Sequence, residues 1–141
     1  MFGWGKKKKE QDVTAKFHAA IAGLVALQLW PKFATPREAF PAFMTSREAR
    51  GYLFGMHDSL LQEWGLVSAD NPETDVALIA ASYKFIFGDS AGFALISMSL
   101  NGIRDEEFHE ARLDGGAELV RYEKDKTPPL GLVRLLVIGG G

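Results

Sequence analysis

The sequence predicts an all-α fold, a compact single-domain bundle of five to seven helices with closely packed small-residue faces, and three observations predict it. Apolar residues recur at helical spacing through every long segment, and no stretch shows the strong alternation of a half-buried strand. Cap and breaker residues punctuate the chain at helix-length intervals. Gly51, Gly55 and Ser59 sit four apart inside Ser46–Trp64. A glycine in a helix interior costs about 1 kcal/mol relative to alanine. That cost is offset where another backbone approaches closely along the same line.

Residues 1–9 read as a flexible basic leader, followed by a helical domain over 10–138 and a glycine tail, 139–141. The first helix opens near Glu10 and runs to Trp30, with Val13, Phe17, Ile21, Leu24 and Leu27 at helical spacing. Ala19–Trp30 is apolar all round, so this helix is expected at the centre of the bundle with Val76–Phe87. Pro31 ends it. Thr35-Pro36-Arg37-Glu38 combines a cap, a proline suited to the first helical position and a glutamate able to reach back. Pro41 stops that piece after about one turn.

Thr45-Ser46-Arg47-Glu48 is a second capping box. The helix it opens carries Ala49, Leu53, Met56, Leu60 and Trp64 on one face, and Gly65 suits its C-terminus. Asn71-Pro72 opens the next helix, whose face is Val76, Ile79, Ala80, Tyr83 and Phe87. Gly88-Asp89 reads as a stop followed at once by a cap. The short helix after it has Phe93, Ile96, Leu100 and Ile103 on its expected core face and Ser90, Ala94, Ser97 and Asn101 opposite. Asp105-Glu106-Glu107 makes an acidic first turn. Gly115-Gly116 either breaks the helix that follows or is carried through it, since Phe108, Ala111, Leu119 and Tyr122 keep phase across the pair. After Thr127-Pro128-Pro129, residues 130–138 fit strand propensity, but no segment offers them a strand partner, and they are read as a short helix.

With 141 residues and 47% hydrophobic content, the chain is long enough for one packed core. Cysteine is absent, which excludes disulfides, thiolate metal sites and cysteine nucleophiles and fits a cytoplasmic location. The net charge of −2 hides an asymmetry: residues 1–50 hold nine Lys or Arg against four acids, and residues 51–141 hold seven against fourteen. The longest uncharged apolar run, Ala19–Trp30, is twelve residues, short of the roughly 18 or more that a membrane span needs.

Chemistry-bearing motifs are sparse. Glu106 and His109 share a helix face at i, i+3 spacing, which is half of the motif of carboxylate-bridged metal bundles. With His57 they form the only metal-binding or hydrolytic constellation the residues offer, against the plainer reading of a solvated acidic helix start and a core histidine. His57-Asp58 points about 100° apart on a helix and His18 lies beside the apolar run, so neither is a preformed dyad. Gly88-Asp89-Ser90-Ala91-Gly92 matches Gly-x-Ser-x-Gly, yet that elbow works only at a strand-to-helix turn. No phosphate loop or dinucleotide fingerprint is present, and no cofactor is expected.

Two surface features remain. Phe2 and Trp4 precede Lys6, Lys7, Lys8 and Lys9, the composition an anionic membrane surface attracts. No further basic stripe supports a nucleic-acid groove. Three small-residue stripes, Gly51-Gly55-Ser59, Ala15-Ala19-Gly23 and Ser90-Ala94-Ser97, mark close helix packing within the chain or against another chain. The expected function is therefore that of a non-enzymatic helical protein that binds a protein partner or a second copy of itself, a homodimer included. The alternatives are a helical metal-binding or hydrolytic enzyme using Glu106 and His109, and a membrane-surface protein tethered by its leader.

Overall fold

The computed structural model describes the backbone of residues 2–68 and 70–138, with side chains from residue 12 onward. The predicted glycine tail, 139–141, lies outside the described residues, as do the side chains of Phe2, Trp4 and Lys6–Lys9. Every regular element among the described residues is helical: α1 (Phe2–Leu29), a 3-10 turn (Pro36–Ala39), α2 (Phe40–Thr45), α3 (Arg47–Glu63), α4 (Pro72–Phe87), α5 (Asp89–Asn101), α6 (Glu106–Asp125) and a π-helical segment (Val133–Ile138). The all-α bundle expected from the periodicity is what the chain forms.

The boundaries follow local chemistry. Ser46 caps α3 by accepting the Ala49 N–H at 3.1 Å, one residue later than the predicted box, while Thr45 donates its hydroxyl to the Ala42 carbonyl. Asp105 caps α6 in the same way through the Phe108 N–H at 3.1 Å. A single residue, Gly88, ends α4 and begins α5; its φ of 93° is a conformation open to glycine and strained for other residues. Asp89 is thus the first residue of α5 and not its cap. α1 begins at Phe2, so the predicted leader carries helical backbone and the helix does not wait for Glu10. Lysine is a good helix former, and nothing between Phe2 and Glu10 interrupts the hydrogen-bond ladder.

α3 is the centre of the molecule. Seven consecutive residues, 51–57, are buried on it. α6 packs along α3 in parallel, residue 51 meeting 108 and 111, residue 55 meeting 112, and residue 59 meeting 116. α4 and α5 form a tight hairpin in which Gly92 lies on the backbone of Tyr83 and Lys84. α1 leans on α4, and the terminal segment closes over α1 and α3.

Two expectations are corrected. The apolar stretch Ala19–Trp30 is not central: Phe17, Ile21, Leu24, Val25, Gln28 and Leu29 face inward, while Leu27, predicted for the core face, is 62% exposed. The outer positions 15, 19, 23 and 26 are Ala or Gly, so leaving them uncovered exposes little apolar area. On α5 the buried residues are Gly92, Leu95, Ile96 and Ser99, and Phe93 and Leu100 point outward. The one-residue turn forces this rotation, because only the face bearing Gly92 allows α5 to approach α4 that closely. Of the two alternatives at Gly115-Gly116, α6 takes the continuous one, and the final segment, read as a short helix, is helical over 131–138.

Candidate interaction surfaces

The glycine stripe of α3 is consumed inside the chain. A Cβ on Gly51 would overlap the Phe108 carbonyl, and one on Gly55 would overlap the Arg112 backbone. The contact is reciprocal, since a Cβ on Gly115 would strike the Tyr52 carbonyl and one on Gly116 would meet Ser59 Oγ. The Gly115-Gly116 pair is the counterpart that the sequence reading left ambiguous; its signal was the conserved phase of the apolar residues on either side of it. Arg112 spans the seam to Asp58 at 2.7 Å and lies 4.9 Å from the Phe54 ring. Arg47 bonds Asp105 at 3.1 Å and ties the two helix starts together.

The other two stripes face outward. On α1, Ala15, Ala19, Gly23 and Ala26 are exposed, nothing among the described residues lies within 4 Å of a Cβ built on Gly23, and Leu27 and Trp30 continue the same face at 62% and 65% exposure. On α5, Ser90 and Asn101 are exposed, Ala94 and Ser97 are half-buried, and Phe93 stands 61% exposed between them. After Asp89, α5 carries no charged residue at all.

The metal or hydrolytic trio is not assembled. His57 is completely buried, with both ring nitrogens bonded. Leu53 O can only accept, so Nδ1 carries the proton and donates to it at 2.9 Å; Nε2 then accepts from the Ser82 hydroxyl at 2.8 Å. Burial pushes His57 down to about 4, against a smaller opposing effect of the Leu53 carbonyl. The pair has nucleophile–base geometry, but Ser82 is also fully buried and no substrate reaches it. Glu106 and His109 are exposed on α6. Among the described residues, no group of three His, Asp or Glu is placed to hold a metal ion. His18 stacks on the exposed Phe85 ring with centroids 5.7 Å apart, and burial lowers its pKa.

Sequence reasoning missed a polar clamp where α1, α3 and α6 meet the chain end. Glu118 Oε1 accepts the Leu130 N–H at 2.7 Å, the Gly131 N–H at 3.0 Å and lies 3.1 Å from the Tyr52 hydroxyl. Gln28 Oε1 accepts the Leu132 N–H at 2.9 Å. Arg134 bonds Glu118 Oε2 at 2.7 Å, and Lys32 Nζ donates to the Leu136 carbonyl at 2.8 Å. Burial works to raise the Glu118 pKa, but the Leu130 N–H and Arg134 outweigh it and hold the carboxylate below its ordinary value. Burial raises Tyr52. The sole hint in the sequence was Gln28, the one polar residue in an apolar run.

No protein-family model matches this chain, and no curated protein and no solved structure matches it. No helix among the described residues is long and apolar enough to cross a membrane.

Proposed function

We propose that the protein acts by protein–protein interaction through the outer face of α1, with a second copy of the chain as its partner. One observation carries the reading: a mid-helix glycine with nothing beside it, in line with Ala15 and Ala19 and continued by Leu27 and Trp30 in solvent. A surface helix of a self-sufficient bundle has a charged outer face, and α1 has no charged residue between Ala19 and Trp30. Covering Leu27 and Trp30 would each contribute roughly 2 kcal/mol of apolar burial. Two-fold self-pairing is the commonest way for one chain to cover such a face.

Light scattering as a function of concentration tests this. The wild-type chain is expected to gain mass in the micromolar range, and Leu27→Glu to remain monomeric with an unchanged circular dichroism spectrum. A wild-type chain that stays monomeric at high micromolar concentration removes the self-association reading. A second reading has an observation in its favour: α1 is unbroken from Phe2, so the aromatic and lysine residues of the N-terminus sit on the same rod as the open face. On that reading the face meets an anionic membrane surface, and flotation with acidic vesicles is lost when residues 1–9 are deleted.

A further inference from the structure

Residues 130–138 sit in their groove as a ligand sits in a site. Three side chains from three separate helices, Gln28 of α1, Tyr52 of α3 and Glu118 of α6, converge on the backbone N–H groups of residues 130, 131 and 132. Such bonds recognise the exposed first turn of a helix, where N–H groups have no partner within the helix. Side-chain selection comes from three positions. A Cβ on residue 131 would be driven into the Tyr52 ring, so only glycine fits there. Leu132 and Leu136, one turn apart, are buried.

The means of release are also present. Among the described residues, the hydrogen bonds that tie 130–138 to the other helices all involve a side chain, and no backbone ladder holds the segment. The hinge before them is Lys126, held at φ 61°, a left-handed conformation unfavourable for a residue with a Cβ, followed by Thr127-Pro128-Pro129. Clefts of about 260 and 300 Å³ flank the segment, the first beside Gly131 and Leu135, the second beside Pro128 and Leu130.

We propose that this groove is a binding site for a helix-forming segment of the pattern Gly-Leu-x-x-x-Leu, and that residues 130–138 occupy it as a releasable internal ligand which exchanges with the same segment of a second copy. Reciprocal exchange keeps every clamp contact and relaxes Lys126. The tethered segment competes at an effective concentration on the order of millimolar, so the site is masked in the isolated chain. It is separate from the outer face of α1; at micromolar chain the tethered segment outcompetes exchange, so the scattering of Leu27→Glu reads the α1 face alone.

The test uses the full chain with Gly131→Gln, which keeps helix propensity and every clamp residue but cannot seat its own segment. A fluorescein-labelled peptide of residues 127–141 is added and anisotropy is read. The peptide is expected to bind this variant saturably and the wild-type chain about tenfold or more weakly, because the tethered segment competes. The same peptide carrying Gly131→Gln is expected to bind neither. A folded variant that ignores the wild-type peptide, or that binds both peptides equally, overturns the proposal, the latter by showing unselective apolar adhesion. Should the variant fail to fold, hydrogen exchange on the wild-type chain decides: the amides of Leu130, Gly131 and Leu132 are expected to exchange faster than those of residues 51–57. Equal protection overturns the proposal, since the segment would then leave only when the whole molecule unfolds.

Discussion

Two glycines in similar helical sequence contexts have opposite environments, and the contrast is measurable. Gly55 meets the Arg112 backbone, which cannot move without α6 moving, so Gly55→Ala is expected to cost about 3 kcal/mol, the upper range for overpacking. Gly23 meets nothing within 4 Å, and Gly23→Ala is expected to stabilise the monomer by about 1 kcal/mol through helix propensity alone. Chemical denaturation of both variants reads the two signs directly. His57 makes a second prediction at this scale. Its native pKa lies near 4 against an ordinary 6.5, so between those values the unfolded chain binds a proton that the native chain refuses. Its contribution is fully present above pH 6.5 and is lost as pH falls toward 4, on the order of 3 kcal/mol in all. His57→Gln should flatten that slope in urea titrations run across this range. A slope left unchanged would place the proton uptake elsewhere, with His18 the next group to examine.

Helix by helix, termini were more legible than faces. Caps are local chemistry: Ser46 and Asp105 each bond the third residue of their helix, and such residues announce themselves in any sequence. Ser46→Ala is therefore expected to cost about 1 kcal/mol, as thermal or urea unfolding will show. Faces depend on neighbours. The buried face of α5 is rotated from the one its periodicity predicts, because nothing in Asp89–Asn101 says that Gly92 must lie on Tyr83 and Lys84; that follows from the length of the α4–α5 turn. Helical spacing places Leu27 with Phe17, Ile21 and Leu24, whereas Gln28 takes the inward position and holds the backbone of Leu132. The clamp itself joins residues separated by up to 104 positions, and no local pattern encodes such a meeting. The α3 stripe was legible because a costly residue repeated at one spacing implies a close neighbour, although its partner on α6 was not identified.

At the scale of the molecule, the two central helices run side by side in the same direction, and everything between them serves to carry the chain back to its starting end. The slowest amide exchange should therefore fall in α3 and α6, where the backbones touch and burial is most continuous. The parallel seam has a further consequence. The connector between Glu63 and Pro72 is the one joint that separates α1, α2 and α3 from α4, α5 and α6. A chain severed there falls into two pieces, each carrying one half of the interlocking glycine surface. Co-expressed, the halves are expected to reassemble into the native bundle, which makes this joint the natural place to divide the molecule into a split reporter, with Gly55→Ala as the change that keeps the pieces apart.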